Sequence, residues 1–372
     1  MYSYDDFFIR YGLSLMNVDG VGCVNARKIF SKYPNLYELF QNRSSPHFEC
    51  EGVSKIIFER IKNFNDFNKI DNEIEFLKKK NISVLSISDE MYPFNLKQCY
   101  DAPFMLFSKG NVNFNNNKII SFVGSRNITS YGVGFIKELM QEIAKYKPII
   151  VSGFAFGVDI NSHLAAIDND LQTIAVLGQG LDQIYPKSHK KYYDLILQNG
   201  GFVSEFTSYD LFKKENFIKR NRIVAGLSSA TLVIESAIKG GSLSTAKFAN
   251  DYNRDVFALP GRNSDLYSAG CNHLIKTNQA NLLTSVDDLV YYLNWDKNIQ
   301  KMQKVKVFEV PNDLTTEELK VILFLKENGS EILDIIAQQT EIPVYKLSVV
   351  LLNLELRNLV VPLPGKLYDL KK

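Results

Sequence analysis

Residues 119–157 read IISFVGSRNITSYGVGFIKELMQEIAKYKPIIVSGFAFG, and this stretch decides the fold class. Two apolar runs, residues 119–123 and 148–151, flank an amphipathic stretch at residues 133–146. Four more apolar runs follow, at residues 173–177, 201–204, 231–234 and 255–259. Near-continuous apolar strands that alternate with helices are typical of a parallel sheet covered on both faces. The sequence therefore predicts a doubly wound, Rossmann-like α/β domain with its binding site at the carboxyl ends of the strands.

The segment before this domain, residues 1–107, has mostly helical patterns. Within it, Gly20 and Gly22 lie in a short hairpin between the helical stretches 7–15 and 25–33. This order resembles a SAM-like or helix-hairpin-helix unit, in which glycines let backbone N–H groups approach a phosphate. A tight turn inside a small helical bundle explains the same residues, and we favour it because only one hairpin matches well. We therefore expect a helical N-terminal domain.

Two further segments follow the Rossmann-like domain, which we place at residues 108–293. Residues 294–314 are mostly polar and charged, and we expect them to be a linker. Residues 315–372 show three helical patterns followed by two short apolar runs, which is the order of elements in a winged helix. The third helical pattern carries few cations, whereas a helix that reads the major groove of DNA is normally more basic. We therefore expect this small domain to contact protein or to pack.

The charge balance limits how the chain could bind a polyanion. Among its 372 residues, 43 Lys and Arg face 41 Asp and Glu, for a formal net charge of +2. This excludes a polycationic chain that coats nucleic acid through bulk charge, so any polyanion must meet a local cluster of cations. Hydrophobic residues make up 45% of the chain, as in an ordinary globular protein.

Neither a membrane segment nor a signal peptide is recognisable in the sequence. The four cysteines, Cys23, Cys50, Cys99 and Cys271, lie far apart and form no CxxC pair. This spacing favours reduced thiols over a disulfide framework or a structural zinc site. We therefore expect a cytoplasmic protein that binds no membrane, no metal and no cofactor.

Residues suited to phosphate binding follow the first apolar run. Gly124, Ser125 and Arg126 form a strand-to-helix turn that offers backbone N–H donors, a helix dipole and a forked guanidinium. The turn lacks the GxGxxG spacing, so a dinucleotide site is unsupported. A capped turn with an arginine in solvent explains this loop equally well when it is taken alone.

Ser152 and Gly153 follow the second apolar run, and an aspartate and a histidine come soon after them. Asp159 and His163 are four residues apart, on one face of a helix that begins near Asp159. A catalytic or metal site would need a third partner, and none is evident. We therefore expect the Asp159 carboxylate to bond His163 and to fix this turn.

Glycines and one lysine follow the third and fifth apolar runs. Gly178 and Gly180 permit the close approach of a backbone, and Lys187 comes after them. Residues 240–242, Gly-Gly-Ser, open a helix whose first N–H groups are unpaired and can cradle an anion. Several strand ends of one sheet thus carry glycine, hydroxyl or cationic groups, and a shared polyanionic ligand explains them together.

Cations and aromatic rings alternate in residues 213–222, KKENFIKRNR. This stretch contains five basic residues and one acidic residue, and Phe212 and Phe217 lie beside them. Such a charge run is usually a solvated face. Rings beside cations are also what proteins use to bind single-stranded nucleic acid, because bases stack on the rings.

These motifs resemble, in order, those of the DNA-processing protein A (DprA/Smf) family of bacterial single-stranded DNA binders. The matching motifs are VGSR with a following YG, SGFAFGVDINSH, TIAVLGQGLDQIYPK, SEF, FIKRNRIVAGLS, GGSLSTA, and FALPG followed by GCNHLI. The resemblance covers residues 119–290 closely, and the flanking segments complete the layout that is usual in the family.

The resemblance implies DNA binding without catalysis. It implies a positive pocket for single-stranded DNA in the Rossmann-like domain, a homodimer through that domain, and transfer of the strand to the recombinase RecA during natural transformation. Arg126, Lys187 and the Arg220-Asn221-Arg222 motif match family DNA-binding positions. The candidate DNA-binding residues are Gly124, Ser125, Arg126, Ser152, Gly153, Gly178, Gly180, Lys187, Phe217, Arg220, Asn221, Arg222, Lys239, Gly240, Gly241 and Ser242.

A different class of function stays open as an alternative. Rossmann-like enzymes that cleave nucleoside monophosphates resemble this chain at its glycine loops, but they use a PGGxGTxxE signature with a catalytic Glu. Residues 239–246 read KGGSLSTA, with no Glu after Thr245. Hydrolysis through a general acid or base would need such a carboxylate, so the sequence favours a binding protein. A nucleotide-sensing module with the same pocket is a further, weaker alternative.

Overall fold

The computed structural model describes residues 6–41, 48–295, 311, 313–363 and 367–371. Two compact units divide the chain, Met1–Leu293 and Asn294–Lys372. Most of the expected linker, residues 296–310 and 312, lies outside the described residues. Within those ranges, no helix is both long and apolar enough to cross a lipid bilayer.

A nine-stranded sheet forms the centre of the first unit. Its strands are β1 (Ser83–Ser86), β2 (Met105–Gly110), β3 (Ile119–Val123), β4 (Ile149–Ser152), β5 (Thr173–Val176), β6 (Gly200–Ser204), β7 (Ala230–Val233), β8 (Asp255–Ala258) and β9 (Asn281–Leu282). They are hydrogen-bonded in the order β1-β2-β6-β5-β4-β3-β7-β8-β9. The chain moves outward from β3 through β4 and β5 to β6 and then returns to place β7 on the other side of β3, so β3 and β7 flank the switch point of the sheet.

Helices precede the sheet and connect its strands. In the first unit they are α1 (Asp6–Met16), α2 (Cys23–Lys32), α3 (Leu36–Gln41), α4 (Lys55–Lys62), α5 (Phe67–Lys79), α6 (Phe94–Lys97), α7 (Ser130–Ile143), α8 (Val158–Asp168), α9 (Tyr193–Gln198), α10 (Lys214–Leu227), α11 (Ser242–Asp251), α12 (Ala269–Lys276) and α13 (Val286–Tyr292). Helix α10 makes the crossover from β6 to β7 and carries most of the basic stretch at residues 213–222.

The six apolar runs are confirmed as strands β3 to β8, and the predicted α/β fold class is confirmed. In the part of the sheet ordered β6-β5-β4-β3-β7-β8-β9, every adjacent pair of strands is parallel, as the alternation with helices predicts. Strands β3 to β7 are buried along their whole length, which explains why their sequences are apolar without alternation.

Strands β1 and β2 extend the sheet and were not predicted. They pair antiparallel to each other, and β2 pairs antiparallel to β6. The expected boundary between residues 107 and 108 therefore falls inside β2. The helices of the N-terminal segment share one hydrophobic core with the sheet, where Phe30 of α2 packs edge-to-face on Phe104 at a ring distance of 5.3 Å.

A second hairpin of the helical segment was also not predicted. Gly20 before α2 and Gly52 before α4 both have left-handed backbone, with φ of 87° and 71°. Arg60 of α4 donates to a carbonyl of the first hairpin at 2.8 Å, and a Cβ on Gly52 would lie 2.6 Å from Nζ of Lys28 on α2. Arg60 thus braces the first hairpin, and the side chain of Lys28 lies close to the second. The second hairpin has the sequence Gly-Val-Ser at residues 52–54, where the first has Gly-Val-Gly at residues 20–22. With only one glycine, it does not match the hairpin pattern.

A buried ion pair connects α10 to the segment before β2. Arg222 of α10 is 8% exposed and contacts the carboxylate of Glu205, which follows β6. The same guanidinium donates to the backbone carbonyl of Asp101, and its Nε lies 4.0 Å from the Asp101 carboxylate. Burial raises the pKa of Glu205, and the positive charge of Arg222 opposes that rise. Arg222 therefore stabilises the carboxylate in its charged form inside the fold.

The second unit contains three helices and a small antiparallel sheet among its described residues. The elements are α14 (Thr316–Asn328), β10 (Glu331–Ile332), α15 (Leu333–Thr340), α16 (Val344–Leu356), β11 (Val360–Leu363) and β12 (Leu367–Leu370). The sheet order is β10-β12-β11, and the helices pack around Ile322, Leu325, Leu347 and Leu351. This order of elements confirms the predicted winged helix, although residues 364–366 lie outside the described residues.

Removal of Arg222 should destabilise the protein strongly. We expect Arg222→Ala to lower the free energy of unfolding by about 3–5 kcal/mol, because Glu205 would remain buried without its counter-ion. The matched control is Lys55→Ala, which breaks the pair of Lys55 with Glu49, whose side chains are 83% and 57% exposed, and should leave the free energy of unfolding nearly unchanged. Urea unfolding followed by circular dichroism measures both. Equal losses in the two variants would contradict a structural role of the buried pair.

Candidate nucleic-acid interface

The loops after four neighbouring strands meet at one edge of the sheet. The strands β5, β4, β3 and β7 are adjacent and parallel, so their carboxyl ends lie side by side. The loops that follow them carry Gly178, Gly153, Arg126 and the Gly-Gly-Ser segment at residues 240–242. The predicted candidates are therefore brought to one edge, as expected for a doubly wound sheet.

A small pocket opens within this row of loops. It has a volume of about 50 Å³ and is lined by Arg126, Gly153, Phe156, Tyr185 and Arg220, among others. A site for a whole small-molecule ligand usually measures about 300 Å³ or more. The pocket suits a charged group of a few atoms rather than a whole nucleotide.

Arg220 of α10 lies at the inner wall of this pocket and is only 5% exposed. Its Nη1 is 4.0 Å from the carboxylate of Asp159, near the start of α8. Its Nε has no hydrogen-bond partner among the described residues. A Cβ on Gly153 would lie 1.5 Å from Nη1 of Arg220, so only glycine leaves room for the guanidinium beside the end of β4.

The charges around the pocket do not cancel. Burial lowers the pKa of Arg220, Asp159 opposes this effect, and the nearby positive charge of Arg126 adds to it. Burial likewise raises the pKa of Asp159, while Arg220 and, more weakly, Arg126 lower it. Arginine stays protonated in proteins, so two guanidinium groups share a single carboxylate. The positive charge of the buried Arg220, together with that of the exposed Arg126, favours an anion.

The loop after β3 is held so that Arg126 faces solvent. The Ser125 N–H donates to the carbonyl of Glu235 at 2.6 Å, and a Cβ on Gly124 would lie 2.4 Å from a methyl group of Val158. Thr129, which caps α7, donates from its N–H and its hydroxyl to the buried carboxylate of Glu235 at 2.8 and 2.5 Å. Glu235 is thus committed to holding the loop.

Aromatic rings form the rim of the pocket beside the loop after β5. Tyr185 packs against Phe212 and Phe217 with ring centroids 4.9 and 5.5 Å away. A Cβ on Gly178 would lie 3.0 Å from the Phe217 ring, so Gly178 serves the close packing of this ring. Lys187 is exposed and begins the short 3-10 helix that follows Tyr185 and Pro186.

The Gly-Gly-Ser segment is linked to α10 by Asn221. The amide of Asn221 donates to the hydroxyl of Ser244 at 3.0 Å and lies 3.4 Å from the Gly241 carbonyl. Gly241 is the N-cap residue of α11 and has no side chain to accept a hydrogen bond from the first N–H groups of this helix. Lys239 is exposed at the same loop. Asn221 therefore positions this loop, and the loop adds a cation to the edge of the sheet.

Other predicted site residues have different surroundings from those expected. Arg222 is directed into the ion pair with Glu205 and does not line the pocket. Ser152 is fully buried and donates to the Phe122 carbonyl at 2.6 Å, and the buried Ser242 hydroxyl bonds that of Ser236 at 2.8 Å. These three side chains support the fold around the site.

Gly180 and Gly240 also serve packing. A Cβ on Gly180 would lie 2.5 Å from the Thr207 carbonyl, and one on Gly240 would lie 2.2 Å from the Ser236 hydroxyl. Both loops can therefore come close to neighbouring backbone and side chains only because these positions are glycines.

The expected bond between Asp159 and His163 is wrong. Asp159 accepts from the Ala155 N–H at 3.1 Å and faces Arg220, whereas Nδ1 of His163 bonds Thr173 at 2.6 Å. Burial lowers the pKa of His163 to about 3, so the ring stays neutral. The spacing placed both residues on α8, but it could not show that a distant arginine competes for the carboxylate.

Sequence reasoning missed Tyr185 as part of the site and missed the pairing of Asp159 with Arg220. A signal for the second was present in α10, where Phe217, Arg220 and Val224 recur at helical spacing with apolar neighbours. This pattern places Arg220 on an inward face. Among the described residues, no cluster of three or more His, Cys, Asp or Glu side chains is suited to a metal ion.

Known proteins share the sequence and the fold of this chain. The family model of DNA recombination-mediator protein A matches residues 83–294, and that of the DprA winged helix domain matches residues 311–366. The DNA processing protein DprA of Streptococcus pneumoniae is 40% identical over 58% of this chain and 75% of its own length. The protein Smf of Synechocystis is 30% identical over 96% of this chain and 98% of its own length.

Two solved structures are also similar. The X-ray structure of DprA from Streptococcus pneumoniae superposes with a TM-score of 0.65 at 33% identity, over 76% of this chain and 97% of that chain. A structure of DNA processing protein A from Helicobacter pylori, described with a single-stranded DNA binding mode, has a TM-score of 0.52 at 31% identity. It covers 58% of this chain and 96% of that chain. With these matches, the chain belongs to the DNA recombination-mediator protein A (DprA/Smf) family and has a role in DNA processing.

Proposed function

We propose that this protein binds single-stranded DNA and holds a backbone phosphate at the pocket between Arg126 and Arg220. The observation that carries the proposal is the excess of positive charge, two guanidinium groups against the carboxylate of Asp159, around a pocket of about 50 Å³. A phosphate group matches both the charge and the size of the pocket. A guanidinium group can donate two parallel hydrogen bonds to two oxygens of one phosphate. Lys187, exposed next to the rim, attracts a neighbouring phosphate.

Family membership supports the choice of a single strand as the ligand. The Helicobacter pylori relative is described with a single-stranded DNA binding mode at 31% identity. The net charge of +2 argues for a confined contact rather than the broad basic surface that tracks a duplex. The remaining site candidates, Gly124, Asn221 and Lys239 among them, shape or flank this contact.

We further propose a mediator that works by binding and transfer rather than by catalysis. The protein would act in the cytoplasm as a homodimer joined through the Rossmann-like domain and would load RecA onto incoming DNA during natural transformation. Membership of a recombination-mediator family supports this role. The carboxylate of Glu235 accepts two hydrogen bonds from Thr129. Its structural role in this loop supports a protein without a catalytic carboxylate at this position.

The cations of the site should set both the affinity for single strands and its salt dependence. We expect Arg126→Ala and Lys187→Ala each to weaken oligothymidylate binding and to reduce the slope of log affinity against log salt by about 0.7, the share of one phosphate. Fluorescence anisotropy at several salt concentrations measures both quantities.

The matched control for these variants is Lys62→Ala, which removes an exposed lysine of α4 away from the site. It should leave the slope unchanged. The proposed pocket is refuted if Arg126→Ala and Lys187→Ala bind as the unaltered protein does. If free base is released from a nucleoside monophosphate during the assay, the hydrolase alternative replaces the proposal.

Gly153 should be essential because it makes room for Arg220. We expect Gly153→Ala to displace the guanidinium and to weaken single-strand binding roughly 10- to 100-fold, the effect of losing a charged hydrogen bond. Gly134→Ala is the control, because a Cβ on Gly134 of α7 meets no atom within 4 Å. Tight binding by both variants would show that the position of Arg220 does not matter.

Binding should be nearly independent of pH between 6.5 and 8.5. Arginine and lysine keep their charge over this range. Burial lowers the pKa of His189, whose ring lies 4.7 Å from that of Phe156 at the pocket, so this histidine is mainly neutral there. The pKa of His163, about 3, also lies far below the range. A several-fold gain in affinity on acidification to pH 6.5 would instead assign part of the binding to a protonated histidine.

A further inference from the structure

We propose that Glu73 of the N-terminal helix α5 is a positioning residue for the DNA site, because it holds the loop between β6 and α10, residues 205–213. This inference rests on the proposed function, and it gives a part in DNA binding to a helix that does not line the pocket. It predicts that losing the contact between α5 and this loop weakens single-strand binding without removing a phosphate contact.

Glu73 is a buried residue whose hydrogen-bond donors lie in that loop. Its side chain accepts from the Ser208 N–H at 2.9 Å and from the Ser208 hydroxyl, although the two residues are 135 positions apart. Glu73 is only 2% exposed. Burial raises the pKa of Glu73, and the two hydrogen bonds from Ser208 oppose that rise. Because an unpaired buried carboxyl group is costly, these bonds fix Ser208 against α5.

A second contact from α5 reaches the next residue of the loop. Nζ of Lys69 lies 4.0 Å from the ring centroid of Tyr209. Lys69 and Glu73 are four residues apart and so share one face of the helix. The Tyr209 ring also packs against the main hydrophobic core. One face of α5 thus contacts two consecutive residues of the loop.

The loop in turn supports the segment that follows β5. Thr207 is buried, and a Cβ on Gly180 would lie 2.5 Å from its carbonyl oxygen. Ser204, at the end of β6, donates from its hydroxyl to the Gln179 carbonyl at 2.7 Å. The segment after β5 therefore packs on the loop before it continues to Lys187.

The other end of the loop leads into α10, the helix that carries Arg220. The buried amide of Asn216 in the first turn of α10 donates to the Leu211 carbonyl at 3.0 Å. The loop thus joins two walls of the site, and α5 holds its middle. If the loop were released, it would have to be ordered during binding, and the apparent affinity would fall with the fraction of molecules in which it is ordered.

The test compares two variants of Glu73 that differ in hydrogen bonding. Glu73→Gln and Glu73→Met remove the same charge and have side chains of similar length, but only glutamine keeps an acceptor oxygen. We expect Glu73→Met to bind oligothymidylate roughly 3- to 10-fold more weakly, whereas Glu73→Gln should bind nearly as the unaltered protein does. Fluorescence anisotropy at several salt concentrations measures the affinities.

Two readouts distinguish positioning from direct contact. The slope of log affinity against log salt should be unchanged in Glu73→Met, because the same phosphates are contacted, whereas Lys187→Ala should reduce it. Hydrogen exchange of the backbone amides in residues 205–213 should be faster in Glu73→Met and unchanged in Glu73→Gln.

The matched control lies on the same helix. The Asp71 carboxylate accepts two hydrogen bonds from Arg10 of α1, at 2.6 and 2.8 Å. Asp71→Ala should therefore leave both the affinity and the exchange of residues 205–213 unchanged. Ser208→Ala removes one of the two donors from the loop side and should weaken binding to a smaller extent than Glu73→Met. It provides the test if Glu73→Met does not fold.

Three outcomes would overturn the role of Glu73 while the phosphate pocket stands. Full-strength binding by Glu73→Met and Ser208→Ala, with Lys187→Ala still weakened, would show that the contact does not serve the site. Faster exchange in the loop at unchanged affinity would show that the loop is not coupled to the pocket. Equal weakening by Glu73→Gln and Glu73→Met would assign the effect to the charge of Glu73. If the unaltered protein does not bind oligothymidylate, the proposed function fails and this inference fails with it.

Discussion

The candidate site depends on one buried arginine whose charge is only partly compensated. Arg220 is packed against the end of β4 at Gly153, and its ion-pair partner is Asp159 at 4.0 Å. A buried charge costs free energy unless it is paired and hydrogen-bonded, yet Nε of this guanidinium has no partner among the described residues. The fold thus holds a positive charge beneath a small opening, where it favours an anion.

The same helix divides the basic motif between the site and the scaffold. Arg220 and Arg222 are two residues apart on α10 and so project about 200° apart around the helix axis. One lines the pocket, and the other is paired with Glu205 and contacts Asp101 before β2. Under the proposed function, substitution of Arg220 would act on the contact with DNA, whereas substitution of Arg222 would act on the stability of the fold.

The sequence was a good guide to the sheet and a partial guide to the site. Buried parallel strands are apolar throughout, so residues 119–123 and their counterparts stood out, whereas the short edge strand β1 did not. The ends of the predicted strands indicated which loops form the site. The sequence could not show which side chains of those loops point into the protein. Arg222 enters the predicted site through its match to the family motif and Ser152 through its position after a strand, whereas packing directs both side chains into the protein. The pairing of Asp159 with Arg220 joins positions 61 residues apart, which no local pattern reveals.

Net charge was a poor guide to partners, because the relevant cations lie together at one edge of the sheet. The most direct test of the account is a crystal structure of the full chain with a short oligothymidylate. We expect a phosphate oxygen within about 3 Å of the Arg126 guanidinium, in the pocket whose inner wall is Arg220. A strand bound on another face, with this pocket occupied only by solvent, would contradict the central claim.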